Sequence, residues 1–219
     1  QLKNFQIKLR YKMKKKIEIM DTTLRDGEQT SGMSFSKHEK LTISKLLIQD
    51  LKVDRIEVAS ARVSEGEFQA VKSIIEWARS NNFEKKVEIL TFIDNGISID
   101  WIKRAGAKVQ NLLSKGSLNH LKYQLKKTPK QHFEDIQKIL LKAKEIDVDT
   151  NVYLEDWSNG MKNSKNYVFD FIDFLSNQSV KRILLPDTLG VLNPSESYNF
   201  INEVVIKYPE IHFDFHAHN

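Results

Sequence analysis

The chain has 219 residues, 40% hydrophobic and 29% charged, with a net charge of +5 and no cysteine. Such a length buries a sizeable core, and the lack of cysteine excludes disulfides and thiolate metal sites, leaving His, carboxylate or amide groups to hold any metal. No apolar run approaches the roughly 18–20 residues that cross a bilayer as a helix, so no membrane partner is expected and a reducing cytoplasm is the expected setting.

The first stretch, QLKNFQIKLRYKMKKK, holds much of the positive excess. Basic runs touch nucleic acid or anionic lipid when a recognition motif accompanies them. None is present, so residues 1–15 are expected to form a solvated basic tail with no nucleic-acid partner. Met13 stands just ahead of the first apolar run, and residues 1–12 are expected to lie outside the working protein.

From Lys16 onward, short apolar runs alternate with longer amphipathic stretches. KIEIMDTT, DRIEVAS, KVEILTFI, KVQNLLS, TNVYLED, KRILLPD and IHFDFHAH read as strands. Between them SKHEKLTISKLLIQDL, SEGEFQAVKSIIEWARS, TPKQHFEDIQKILLKAKEI and NPSESYNFINEVVIKY read as helices. Their start signals are Ser36 with Glu39, Ser64 with Glu67, Pro129 and Pro194. The alternation predicts right-handed βαβ units and one parallel sheet. An open doubly wound sheet usually carries a Gly-rich phosphate loop after its first strand. DTTLRDGEQT is not such a loop, and polar residues stand at the ends of many strands. The expected fold is therefore a TIM (β/α)8 barrel truncated after the seventh strand. Residues 16–219 would form a partial catalytic domain of a longer protein, without an eighth βα unit or a regulatory domain.

In a barrel, alternate strand residues face inward and chemistry collects at the carboxyl ends. On the last strand His212, Asp214, His216 and His218 share one face. Same-face neighbours lie about 6.5–7 Å apart along a strand, so two imidazoles can converge on one cation or simply be hydrogen-bonded. Arg25 and Asp26 end the first strand, either as a surface ion pair or with Asp26 completing a two-His, one-carboxylate set. Asn151, Tyr153 and Glu155 share a face of the fifth strand, and Glu57 points inward from the second. Glu18 and Glu88 suit an ion-pair network at the barrel base. Thr188 offers a hydroxyl to a substrate carboxylate or caps a turn. Leu90 and Leu113, with Tyr153, wall a small apolar pocket or pack the barrel.

DTTLRDGEQT, RIEVAS, LPDTLG and HAHN, in that order and on those strands, resemble the DRE-TIM metallolyase superfamily. NLLSKGSLNHL and NVYLEDWSNG are similar to the citramalate synthases within it. The resemblance implies a divalent metal (Zn, Mn, Mg or Co) on Asp26, His216 and His218, and acetyl-CoA as co-substrate with a 2-oxo acid. It implies charge stabilisation by Arg25, oriented by Glu57, and proton transfer by Glu155. Tyr153 and Thr188 would contact pyruvate, and the full-length enzyme would be a homodimer. Two further readings stay open: an isopropylmalate synthase acting on 2-oxoisovalerate, and a non-catalytic metal-binding fragment.

Overall fold

A computed structural model describes residues 17–218; the expected basic tail lies outside them. One sheet carries seven parallel strands in chain order: β1 (Met20–Asp21), β2 (Arg55–Ser60), β3 (Val87–Thr91), β4 (Val109–Lys115), β5 (Asp149–Glu155), β6 (Val180–Asp187) and β7 (Phe213–Ala217). In a flat sheet β1 and β7 would stand about 29 Å apart, six spacings of about 4.8 Å. Instead Asp26, just past β1, lies 3.4 Å from His216 on β7, and Arg55 on β2 lies 2.6 Å from Asp214 on β7. The sheet is thus rolled into an open barrel, as expected, with a cleft of about 640 Å³ along the facing edges of β1 and β7. β1 is shorter than KIEIMDTT predicts. Among the described residues it pairs with β2 alone, and Ile17 and Ile19 are exposed. Among the described residues no helix is long and apolar enough to cross a membrane.

The connections are α1 (Lys37–Lys45), α2 (Glu65–Ser80), α3 (Ile97–Ala105), α4 (Pro129–Glu145), α5 (Trp157–Asn163), α6 (Lys165–Ser176) and α7 (Pro194–Lys207). Strand alternation divides the apolar surface. Ile56, Val58, Ile89, Leu112 and Val152 point outward into the helix layer, against Ile74, Ile75 and Phe171. Their neighbours Arg55, Glu57, Asn111 and Asn151 make polar contacts across the barrel interior. Ser36 and Glu39 form the expected reciprocal cap. At α2 the reciprocity fails: Ser64 accepts from the Glu67 backbone, but the Glu67 carboxylate turns to Lys40, 2.5 Å away. Lys40 is 1% exposed, and its charge also meets Glu28 at 2.5 Å. A buried ammonium left unpaired costs far more than a second capping bond contributes.

The expected network at the base is present. Arg55 bridges Glu88 (3.0 Å) and Asp214 (2.6 Å), while Arg182 pairs with Glu18 and lies 3.4 Å from Asp214. Further up, His132 on α4 is buried, and its Nε2 accepts the Lys115 backbone N–H at 3.2 Å. Burial, then the Lys127 charge, pushes the His132 pKa down to about 4. Above pH 6.5 both folded and unfolded chains keep this ring neutral. Below it the unfolded chain takes up the proton first, so stability falls with pH and levels off near 4. The gap corresponds to about 3 kcal/mol. Urea midpoints at pH 7 and 4.5 are expected to differ less in His132→Gln than in wild type; equal differences would exclude this contribution.

Candidate active site

The carboxyl end of β1 makes a tight turn in which the backbone N–H groups of Arg25, Asp26 and Gly27 all donate to the Thr22 carbonyl. This turn projects Arg25 and Asp26 over the barrel mouth. The Arg25 Nε donates to Glu57 Oε2 at 2.5 Å and its Nη1 to Asp26 Oδ1 at 2.6 Å. Glu57 is 0% exposed. Its other oxygen accepts from Asn111 Nδ2 at 2.6 Å, and Asn111 Oδ1 accepts from Asn151 Nδ2 at 2.9 Å. One polar chain thus runs from β5 through β4 and β2 to the β1 turn. A register shift in β2 between Glu57 and Ser60 kinks the strand beside Glu57. Asn111 was not singled out from the sequence, although it shares the inward phase of Leu113.

Asp26 Oδ2 faces His216 Nε2 at 3.4 Å and His218 Nε2 at 3.7 Å. The two imidazoles lie parallel, 4.7 Å between centroids. All three ligand atoms fall within 4.8 Å of one another. Ligands held about 2.0–2.2 Å from one cation sit roughly 3–3.5 Å apart, so the donor set fits a divalent ion without rearrangement of the strands. Burial lowers the His216 pKa from its ordinary value, outweighing the opposing pull of Asp26. The ring is therefore neutral at pH 7, the form that donates a lone pair to a metal.

Below this centre lies a second apolar cluster, separate from the helix–sheet core. Leu90, Tyr153 and Leu184 form it, with Met20, Phe92 and Leu113 packed against them. The structure thus brings Leu90, Leu113 and Tyr153 together and adds Leu184, an inward-phase residue of KRILLPD that the sequence reading passed over. Tyr153 faces the Arg25 guanidinium at 5.9 Å and the His216 ring at 6.3 Å. Burial, with Glu57 nearby, raises its pKa well above 10, so the phenol keeps its proton.

Two further predicted residues stand at the ends of β5 and β6, and Thr188 directly follows Asp187, the register partner of Ala217 on β7. Glu155, at the end of β5, pairs with Lys115, at the end of β4. The Thr188 hydroxyl accepts the Asp156 backbone N–H at 2.9 Å, tying the ends of β5 and β6; its own proton stays available to a carboxylate oxygen.

Fold and site together define a (β/α)-barrel protein with a candidate two-histidine, one-carboxylate metal centre at the carboxyl ends of its strands. The chain belongs to the HMGL-like family, whose model matches residues 16–219. It is 32% identical to a 2-isopropylmalate synthase of Oceanobacillus iheyensis over 207 residues, covering 93% of this chain and 39% of that protein. It is also 32% identical to a 2-isopropylmalate synthase of Sulfurisphaera tokodaii over 215 residues, covering 94% of this chain and 51% of the relative. The chain therefore spans about half or less of the length of these curated relatives. Among solved structures it resembles an HMG-CoA lyase of Bacillus subtilis, with a TM-score of 0.75 and 17% identity, over 94% of this chain and 69% of that one. This is a likeness of fold. The named relatives are isopropylmalate rather than citramalate synthases, so the family expectation holds at the level of the superfamily.

Proposed function

We propose that this chain carries the reaction centre of an acetyl-CoA-dependent condensing enzyme acting on a small 2-oxo acid, with pyruvate as the substrate and citramalate as the product. The convergence of Asp26, His216 and His218 beside Arg25 is the observation that carries the reading. A divalent cation bound by those three side chains would polarise the ketone of a 2-oxo acid. Arg25, held by Glu57 and Asp26, meets the negative charge that develops on oxygen. Thr188 donates its hydroxyl proton to the substrate carboxylate. Glu155 takes a proton from the acetyl methyl group, whose carbon then bonds to the ketone carbon as the carbonyl π pair moves onto its oxygen, which takes up a proton to become the product hydroxyl. Hydrolysis of the new thioester frees the CoA thiol.

The reading of pyruvate over bulkier acids is supported by the apolar wall of Leu90, Leu113 and Tyr153, which Leu184 joins in one packed cluster. The second reading, isopropylmalate synthesis from 2-oxoisovalerate, is favoured by the names of the relatives. Thiol release from acetyl-CoA with each acid separates them, and preference for 2-oxoisovalerate removes the pyruvate assignment. Leu90→Ala is expected to shift the ratio of kcat/KM values toward 2-oxoisovalerate by roughly tenfold or more, since each methylene in such a pocket is worth about 1–3 kcal/mol. An unchanged ratio would show that Leu90 does not bound the substrate side chain.

A further inference from the structure

Lys115 has no place in the chemistry above, yet the fold holds it from several sides. It ends β4 in the inward phase of Asn111 and Leu113, and its ammonium pairs with Glu155. The two side chains are 13% and 22% exposed, so the pair sits at the barrel mouth rather than on the outer surface. Its backbone N–H is bound by the buried His132 of α4, and its carbonyl accepts the Tyr167 hydroxyl of α6 at 2.7 Å. The next residue, Gly116, donates its N–H to the Glu155 carbonyl at 2.6 Å. A Cβ at Gly116 would stand 2.5 Å from the Leu154 carbonyl oxygen, so the backbones of β4 and β5 meet here at a distance only glycine allows. Two helices and a strand neighbour thus fix the backbone beneath one lysine. A surface ion pair needs no such support, because flexible side chains find one another at little gain.

We propose that Lys115 is a positioning residue for proton transfer: its ammonium aims the Glu155 carboxylate into the barrel mouth. The inference rests on the condensation reading and adds to it the group that makes Glu155 competent. The other charges at this corner are engaged elsewhere. Asp156 accepts from Ser117 and Asn159 and lies 3.5 Å from His120, and Lys127 pairs with Asp135 at 2.7 Å. Among the described residues Lys115 is thus the cation placed on Glu155.

A double-mutant cycle tests this on the purified protein, with thiol release as the readout. Lys115→Met is expected to lower kcat roughly 10–100-fold while leaving KM for the 2-oxo acid near its wild-type value, because a misaimed base slows the chemical step alone. Lys115→Arg should restore most of the loss. In a Glu155→Gln background, Lys115→Met should cost little further, since the lysine acts through that carboxylate. Losses that multiply independently, or a failure of arginine to rescue a folded protein, would overturn the role. If Lys115→Met does not fold, Lys115→Gln enters the same cycle. A wild-type protein inactive with every 2-oxo acid would remove the condensation reading and this inference with it. An active wild type with a fully active Lys115→Met would remove the inference alone.

Discussion

His216→Ala is expected to weaken Mn²⁺ or Zn²⁺ binding by more than about a hundredfold and to bring thiol release to background. The magnitude follows from the donor set. Outer hydrogen-bond partners of metal ligands typically cost about 10–100-fold when removed, and a lost ligand exceeds that. Among the described residues three side chains converge, so the variant would leave one imidazole and one carboxylate of that set. Asp26→Asn should be at least as damaging, because it removes the anion of the site and the negative charge that meets Arg25 Nη1. Calorimetric titration of the chain with each metal reads the binding directly and does not depend on turnover. Unchanged affinity in both variants would dismiss the centre. Metal binding without turnover by any 2-oxo acid would instead leave this chain as a metal-binding piece.

Glu57→Ala should lower stability by about 3–5 kcal/mol, the usual cost of breaking a buried ion pair by removing one partner. For a domain of this size that corresponds to a melting temperature roughly 6–20 °C lower. The carboxylate is fully buried and holds Arg25, Asn111 and, at 3.4 Å, the Tyr153 hydroxyl. Among the described residues, removing it leaves the guanidinium with Asp26 alone and frees it from its aim. A paired change, Arg25→Met with Glu57→Leu, separates the two consequences. Replacing both charges by apolar groups of similar volume is often close to neutral for folding, so stability should largely return while activity stays absent. If the single variant melts with wild type, Glu57 is not what compensates Arg25.

Much of this arrangement is legible in residue order. Period-two alternation assigns Glu57, Leu90, Leu113, Tyr153, Thr188, His216 and His218 to the inward side of their strands. Start signals mark α1, α4 and α7, where the reciprocal caps form. The base network was foreseen for Glu18 and Glu88 because an inward carboxylate low in a barrel requires a cation. Less legible were the partners. Nothing local in KVQNLLSKGS says that Asn111 reaches Glu57 across 54 residues, or that Lys115 faces Glu155 across 40. The Ser64 signal misled by half, because the destination of Glu67 was fixed by a lysine from another helix.

Sequence alone determined which face of each strand is polar, and therefore which side chains could enter the interior, since backbone geometry alternates them regardless of what surrounds the strand. Tertiary structure alone decided which of those side chains stand at the same height. Height depends on inter-strand register and on the rolling of the sheet, and both are set by packing summed over the whole helix layer. That sum brings Asp26 within reach of two histidines that lie almost two hundred residues away along the chain.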